Sequence, residues 1–202
     1  MKRKHIALIV VGLVVLDQIV KIIIKTNMTL GESIHVFGDW FQLYFIENEG
    51  AAYGMSLGGE YGKLALSLFR IVAVCAGGWF VNYLWKKKVS TGLLVAVAFI
   101  MAGAIGNIVD SAFYGLVFSE STYASVATFM PEGGGYAGFL HGKVVDMLHF
   151  PLFTLHDLPS WMDWLTGGDG DFTFFAPVFN VADSYITSAI IYMILFQYKY
   201  FK

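Results

Sequence analysis

Residues 5–24 read HIALIVVGLVVLDQIVKIII. After His5 the only polar side chains are Asp17, Gln18 and Lys21. A helix crosses the hydrocarbon core of a bilayer with about 20 predominantly apolar residues, so this stretch has the length and character of one crossing. Asp17 and Lys21 are then the anomaly, because an ionisable group at membrane depth is costly and marks a functional candidate. They stand four residues apart, on one helical face, with the acid N-terminal to the base. A structural ion pair would look the same.

Working outward, three more runs repeat the pattern, at about 63–85, 93–113 and 181–198. The predicted fold is an all-α integral membrane protein, one membrane-embedded domain over 1–202 with four transmembrane helices. Composition agrees: 57% of the residues are hydrophobic and 14% charged, too few to cover a soluble surface. A net charge of −2 without a basic stripe speaks against nucleic-acid binding. The single cysteine, Cys75, rules out an intramolecular disulfide framework and a cysteine-based zinc site.

Basic residues orient the spans. Lys2, Arg3 and Lys4 precede the first, Lys86, Lys87 and Lys88 separate the second from the third, and Lys199 and Lys202 follow the fourth. Excess Lys and Arg mark cytoplasmic loops, so both termini are expected in the cytoplasm and segments 27–61 and 114–180 outside. The N-terminus looks like a signal peptide but lacks a small-residue cleavage site, and it reads as a retained helix.

Depth along the spans then becomes informative. Asp17 and Lys21 fall in the outer half of the first span. Asn107 and Asp110 share a face near the outer end of the third, and Asp183 sits in the first turn of the fourth, just after Asn180. Arg70 lies about two turns inside the second, and Asn48 and Glu49 occupy the first outer segment. Polar groups of all four spans therefore share one layer, which suggests a single site. It is rich in aspartate and asparagine. Ser111 and Ser184 have no evident base, and His141 and His149 flank Asp146 at no metal-ligand spacing, so neither a metal nor a cofactor is expected. Paired carboxylates remain: two that share a proton can activate water and polarise a carbonyl.

Five stretches, in order, resemble the signature boxes of lipoprotein signal peptidase (signal peptidase II): Asp17-Gln18-Ile19-Val20-Lys21, Asn48-Glu49-Gly50-Ala51-Ala52-Tyr53, Gly106-Asn107-Ile108-Val109-Asp110, Val144-Val145-Asp146-Met147 and Phe179-Asn180-Val181-Ala182-Asp183-Ser184. The resemblance implies an aspartic endopeptidase with Asp146 and Asp183 as catalytic dyad, supported by Asn107, Asp110 and Asn180. Asp17, Lys21, Asn48, Gly50, Ala51 and Ala182 would shape the site or bind substrate. It implies a small extracytoplasmic β-cradle, which the alternation Phe41-Gln42-Leu43-Tyr44-Phe45 fits. It implies prolipoprotein substrates carrying diacylglyceryl-cysteine, cut just before that cysteine by a monomer in contact with the lipids of the bacterial inner membrane.

Two departures stand out. Ser111 occupies the place where the third box is usually followed by arginine, and the segments 111–145 and 147–178 are enlarged, rich in glycine and aromatic residues. The enlarged segments are expected to form a mobile cover over a substrate groove, or an interfacial aromatic belt. Rival readings are a small transporter or channel component and a non-catalytic scaffold. A transporter would carry polar groups along the full depth of the bundle, whereas the inner halves of the third and fourth spans are almost wholly apolar.

Overall fold

The computed structural model describes residues 2–49, 59–166 and 170–200. Gly50 and Ala51, with the rest of the second box as far as Tyr53, lie outside the described residues. Helix α1 spans Arg3–Asn27 and ends where Thr26 Oγ1 and Asn27 Nδ2 donate back to the carbonyls of Ile22 and Ile23, filling acceptors of the last turn. Strands β1 (Ser33–Phe37) and β2 (Phe41–Asn48) form a hairpin, and helix α2 follows over Gly59–Lys86. Helix α3 (Thr91–Val109) starts on a Ser90 side chain that accepts from the Leu93 N–H. It continues as a π-helical turn, Asp110–Tyr114, and a short α4, Gly115–Val117.

After a long irregular stretch come β3 (Val144–His149), β4 (Phe153–Leu155), the short α5 (Asp163–Thr166), β5 (Phe172–Phe174) and β6 (Val178–Phe179). Helix α6 (Val181–Phe196) closes the order. The four-stranded antiparallel sheet runs β1-β2-β3-β6, while β4 and β5 pair with each other. The strand expected at 41–45 is present and extends to Asn48.

Three helices, α1, α2 and α3 with its continuation, are long and apolar enough to cross a membrane. The fourth expected span is shorter than 181–198: α6 has 16 residues, about 24 Å at 1.5 Å per residue. Large apolar side chains point outward along α1, α2 and α6, among them Leu8, Val15, Phe69, Val72 and Ile194, while α3 is enclosed by the others. That suits lipid as the surrounding solvent. Inside, one apolar cluster (Ile6, Leu84, Leu93, Val97, Ala98) ties the Arg3 end of α1 to α2 and α3. A second (Ile24, Phe45, Tyr114, Phe118, Val145, Met147) packs the other end of α1 against the sheet. Helix α3 approaches its neighbours at glycine: a Cβ on Gly103 would collide with the Ala182 carbonyl of α6, and one on Gly106 would stand 2.5 Å from Asp17 Oδ2 of α1. Small residues permit this closeness, and it presses polar side chains of three helices together.

Candidate active site

Asp146 sits in the middle of β3, opposite Ile46 of β2, where the register also sets Asn48 against Val144. Two residues further along β3, Leu148 pairs with Phe179 of β6. The chain leaves β6 directly into Asn180, the N-cap of α6. Asn180 Oδ1 accepts from the Asp183 N–H at 3.0 Å, and Asp183 Oδ2 accepts from the Asn180 N–H at 3.3 Å. This capping box satisfies helix-end donors while fixing the Asp183 carboxylate. One strand pair and one helix start thus bring Asp146 and Asp183 together.

A hydrogen-bonded chain joins them to the helices. Asn180 Nδ2 donates to Asp146 Oδ1 at 2.6 Å and to Asn107 Oδ1 at 3.1 Å. Asn107 Nδ2 donates to Asp183 Oδ1 at 2.9 Å. Asn48 Nδ2 reaches the other Asp146 oxygen at 3.3 Å. The Lys21 ammonium has three donors and three partners: Asp17 Oδ2 at 3.1 Å, Asp110 Oδ2 at 2.8 Å and Asn107 Oδ1 at 2.8 Å. Asp17 Oδ1 in turn accepts from the Ala182 N–H at 3.0 Å, and Asp110 Oδ2 from the Val145 N–H at 3.3 Å. Asp17, Lys21, Asp110 and Asn180 have no solvent-exposed surface. Charges so buried persist only when paired and hydrogen-bonded, as these are.

Asp146 and Asp183 differ from Asp17 and Asp110 in this respect. Asp146 is buried, 3% exposed, yet its partners are amides rather than cations. Burial first, and the neighbouring charge of Asp183 second, push its carboxyl up to about 7; the bonds from Asn180 and Asn48 pull the other way. A carboxylic acid that keeps its proton near neutrality beside a second, half-buried carboxylate is equipped for acid–base chemistry.

The family model for signal peptidase II matches residues 9–199. The chain belongs to the signal peptidase II family. It is similar to the lipoprotein signal peptidase of Porphyromonas gingivalis, 46% identical over 95% of this chain and 82% of that protein. It is also similar to the lipoprotein signal peptidase of Amoebophilus asiaticus, 32% identical over 90% of this chain and 72% of that protein. Two solved structures described as bacterial membrane enzymes share the fold. One, solved at 1.9 Å, has a TM-score of 0.61 at 25% identity and covers 96% of this chain and 92% of its own. The other, at 2.3 Å, has a TM-score of 0.61 at 23% identity, covering 98% and 89%. Membership in the signal peptidase II family makes this a multi-pass membrane protease of lipoprotein processing, and nothing in these likenesses supports a transporter.

The described residues bring Asp17, Lys21, Asn48, Asn107, Asp110, Asp146, Asn180, Ala182 and Asp183 into one connected site. Glu49 is exposed, and Ser184 Oγ donates to the Asn180 carbonyl at 3.1 Å within its own helix start. Sequence reasoning left Gln18 out. Its Nε2 donates to Asp17 Oδ2 at 3.1 Å, Asp110 Oδ1 at 2.9 Å and the Gly106 carbonyl at 3.2 Å, clamping α1 to α3. The available signal was its place beside Asp17 in an otherwise apolar run. Lys25 was missed as well: it is fully buried, paired with Glu47, and donates to Ser121 Oγ at 2.9 Å. One turn beyond Lys21, it could have been recognised as a continuation of the same polar face.

Proposed function

We propose that this chain cleaves prolipoproteins just before a diacylglyceryl-modified cysteine, with Asp146 and Asp183 as an aspartic dyad. The reading is supported above all by one observation: one residue, Asn180, donates to both carboxylates, through its side chain to Asp146 and through its backbone N–H to Asp183, and the more buried of them retains its proton up to about 7. Asp183 takes a proton from water as the water oxygen attacks the scissile carbonyl carbon. Protonated Asp146 hydrogen-bonds the carbonyl oxygen and stabilises the charge that develops there. Collapse of the tetrahedral intermediate breaks the C–N bond, and the proton taken by Asp183 leaves with the amine. Both termini lie in the cytoplasm on this reading, the fourth helix completes the bundle, and the dyad faces the extracytoplasmic interface, where water and lipid-anchored substrate meet. The enzyme acts as a monomer, and the sheet cradles the extended substrate segment beside β3.

Asp146→Asn and Asp183→Asn should each reduce cleavage of a diacylglyceryl precursor by about 1000-fold or more, since the two groups act as a unit. A rate near that of the wild type in either folded variant removes the dyad. A stability measurement gives a second test. Asp146 has a raised folded-state value, so its contribution is fully present below the ordinary carboxylate range and is lost as pH rises through about 7. Asp146→Asn abolishes that loss, and its unfolding midpoint in detergent should exceed the wild type at pH 8 by the equivalent of about 1–3 kcal/mol. Below about pH 4 the difference should vanish.

A further inference from the structure

The polar layer contains four carboxylates, Asp17, Asp110, Asp146 and Asp183, and they divide unevenly between cations. Lys21 spends all three of its donors on Asp17, Asp110 and Asn107. Among the described residues, the half of the layer that holds Asp146 and Asp183 receives side-chain amide donors from Asn48 of β2, Asn107 of α3 and Asn180 at the start of α6. A second cation approaches this half from α2. Arg70 is half-buried, its Nη1 is 3.4 Å from Ser111 Oγ, and its guanidinium lies in the combined field of Asp183, Asp110 and Asp146, with Asp183 the strongest. Ser111 Oγ itself donates to the Asn107 carbonyl at 3.0 Å, which places the guanidinium contact one residue from Asp110 in the π-helical turn. Such turns recur at functional sites because they re-aim side chains. On the preceding turn of the same α2 face, Ser67 is buried and donates to the Leu140 carbonyl at 3.1 Å, holding the helix in place.

We propose that Arg70 is a positioning residue of the proteolytic site, bringing the counter-charge for the ionised member of the Asp146–Asp183 pair from α2 and locking that helix to Ser111. The inference rests on the dyad reading above. Arginine suits the role because its planar fork faces several acceptors at once and remains charged at every working pH. Ser111 in the π-helical turn is within its reach, Asp183 on α6, Asp110 in the same turn and Asp146 on β3 are near enough to act on its charge, and Asp110 is also paired with Lys21. Removing a cation from this set favours the protonated form of every carboxylate that remains, so the pH–rate profile must move as a whole.

The test is steady-state cleavage of a diacylglyceryl precursor by Arg70→Gln and Arg70→Lys in the full-length, detergent-solubilised enzyme between pH 5 and 9. Arg70→Gln should lower kcat by about 10- to 100-fold while KM changes by less than about threefold, because the lost interaction is made with the reacting groups and not with the substrate. Its pH–rate profile should move to higher pH by about one unit. Arg70→Lys, which keeps the charge, should recover at least about a tenth of the wild-type kcat with the profile restored. An Arg70→Gln enzyme with unchanged kcat and an unmoved profile overturns the inference. So does equal loss in both variants accompanied by a lowered unfolding midpoint, which would make Arg70 a packing residue only. Failure of the dyad reading is distinct: Asp146→Asn would then stay active, whereas failure of this inference alone leaves Asp146→Asn inactive and Arg70→Gln at the wild-type rate.

Discussion

The chain leaves the active-site layer on both sides of Asp146, first over 118–143 and then over 150–177. The first excursion is built into the end of α1. Ala127 N–H donates to the Lys25 carbonyl at 3.2 Å and Leu30 N–H to the Thr122 carbonyl at 3.0 Å. Tyr136 and Ala137 return to the carbonyls of Phe118 and Gly115 at 3.0 and 2.8 Å. Beneath these bonds the buried Lys25 ammonium pairs with Glu47, donates to Ser121, and lies over the rings of Phe118 and Tyr136 at 5.5 and 5.1 Å. The second excursion holds itself by local pairing instead. The β4–β5 ladder sets Phe153 on Phe174 with ring centroids 5.1 Å apart, and Leu158 N–H reaches the Gly170 carbonyl at 2.8 Å. Its tip presents Trp161 and Trp164, 74% and 77% exposed. Two segments that look alike in composition therefore do different work. One delivers the chain to β3 and belongs to the fold; the other places apolar rings at the surface. Within the segment 111–145, expected as a mobile cover, residues 118–143 are tied by backbone bonds to the end of α1.

The largest effect should come from breaking the charge on which the first excursion is built. Lys25→Met leaves Glu47 buried without its principal partner, since Lys143 Nζ stands 3.8 Å from the other carboxylate oxygen. Losing one member of a buried ion pair costs about 3–5 kcal/mol. A large fall in the detergent unfolding midpoint is expected, and Lys25→Met/Glu47→Leu should restore most of it. A single variant within about 0.5 kcal/mol of the wild type would show that the excursion stands without this pair.

How far the sequence leads follows from the same contrast. The helices and the site layer were legible because hydrocarbon forbids stray polar groups: Asp17, Lys21, Asn107, Asp110 and Asp183 could be read as one site by depth alone. The carboxylate on β3 was less so, since Asp146 lies outside the spans and was assigned from its box. Lys25 escaped notice because its partners, Glu47 and Ser121, are 22 and 96 residues away in sequence. Arg70 was placed near the layer, but only the packing of α2 brings its guanidinium to Ser111. Gly142 was silent too. Its backbone runs so close to the Asp110 carbonyl that a Cβ would collide with it, a constraint created by the returning chain and absent from any local pattern.

In the second excursion, Phe153→Ser with Phe174→Ser should be a milder change. The stacked pair is worth about 0.5–1.5 kcal/mol beyond its area, and it supports only β4 and β5. Limited proteolysis should cut faster within 152–174, while the global unfolding midpoint stays within about 0.5 kcal/mol of the wild type. A global loss as large as that of Lys25→Met would erase the distinction between the two excursions.

The smallest effect on stability, and the most informative about use, should come from Trp161→Ser with Trp164→Ser. Both rings are exposed, so little packing is lost and unfolding should be unchanged. Tryptophan is favoured at a membrane interface because its ring is apolar and its N–H is wet. If the tip rests on lipid or on the bound precursor beside the dyad, the double variant raises KM in liposomes by about threefold or more, the equivalent of about 0.7 kcal/mol of binding. kcat should hold, since neither ring enters the network around Asn180. Repeating the assay in detergent separates the two surfaces: a defect confined to liposomes identifies the membrane, and one present in both identifies the precursor. An unchanged KM in both would make 150–177 a tolerated surface extension, and the two excursions would then differ in stability alone.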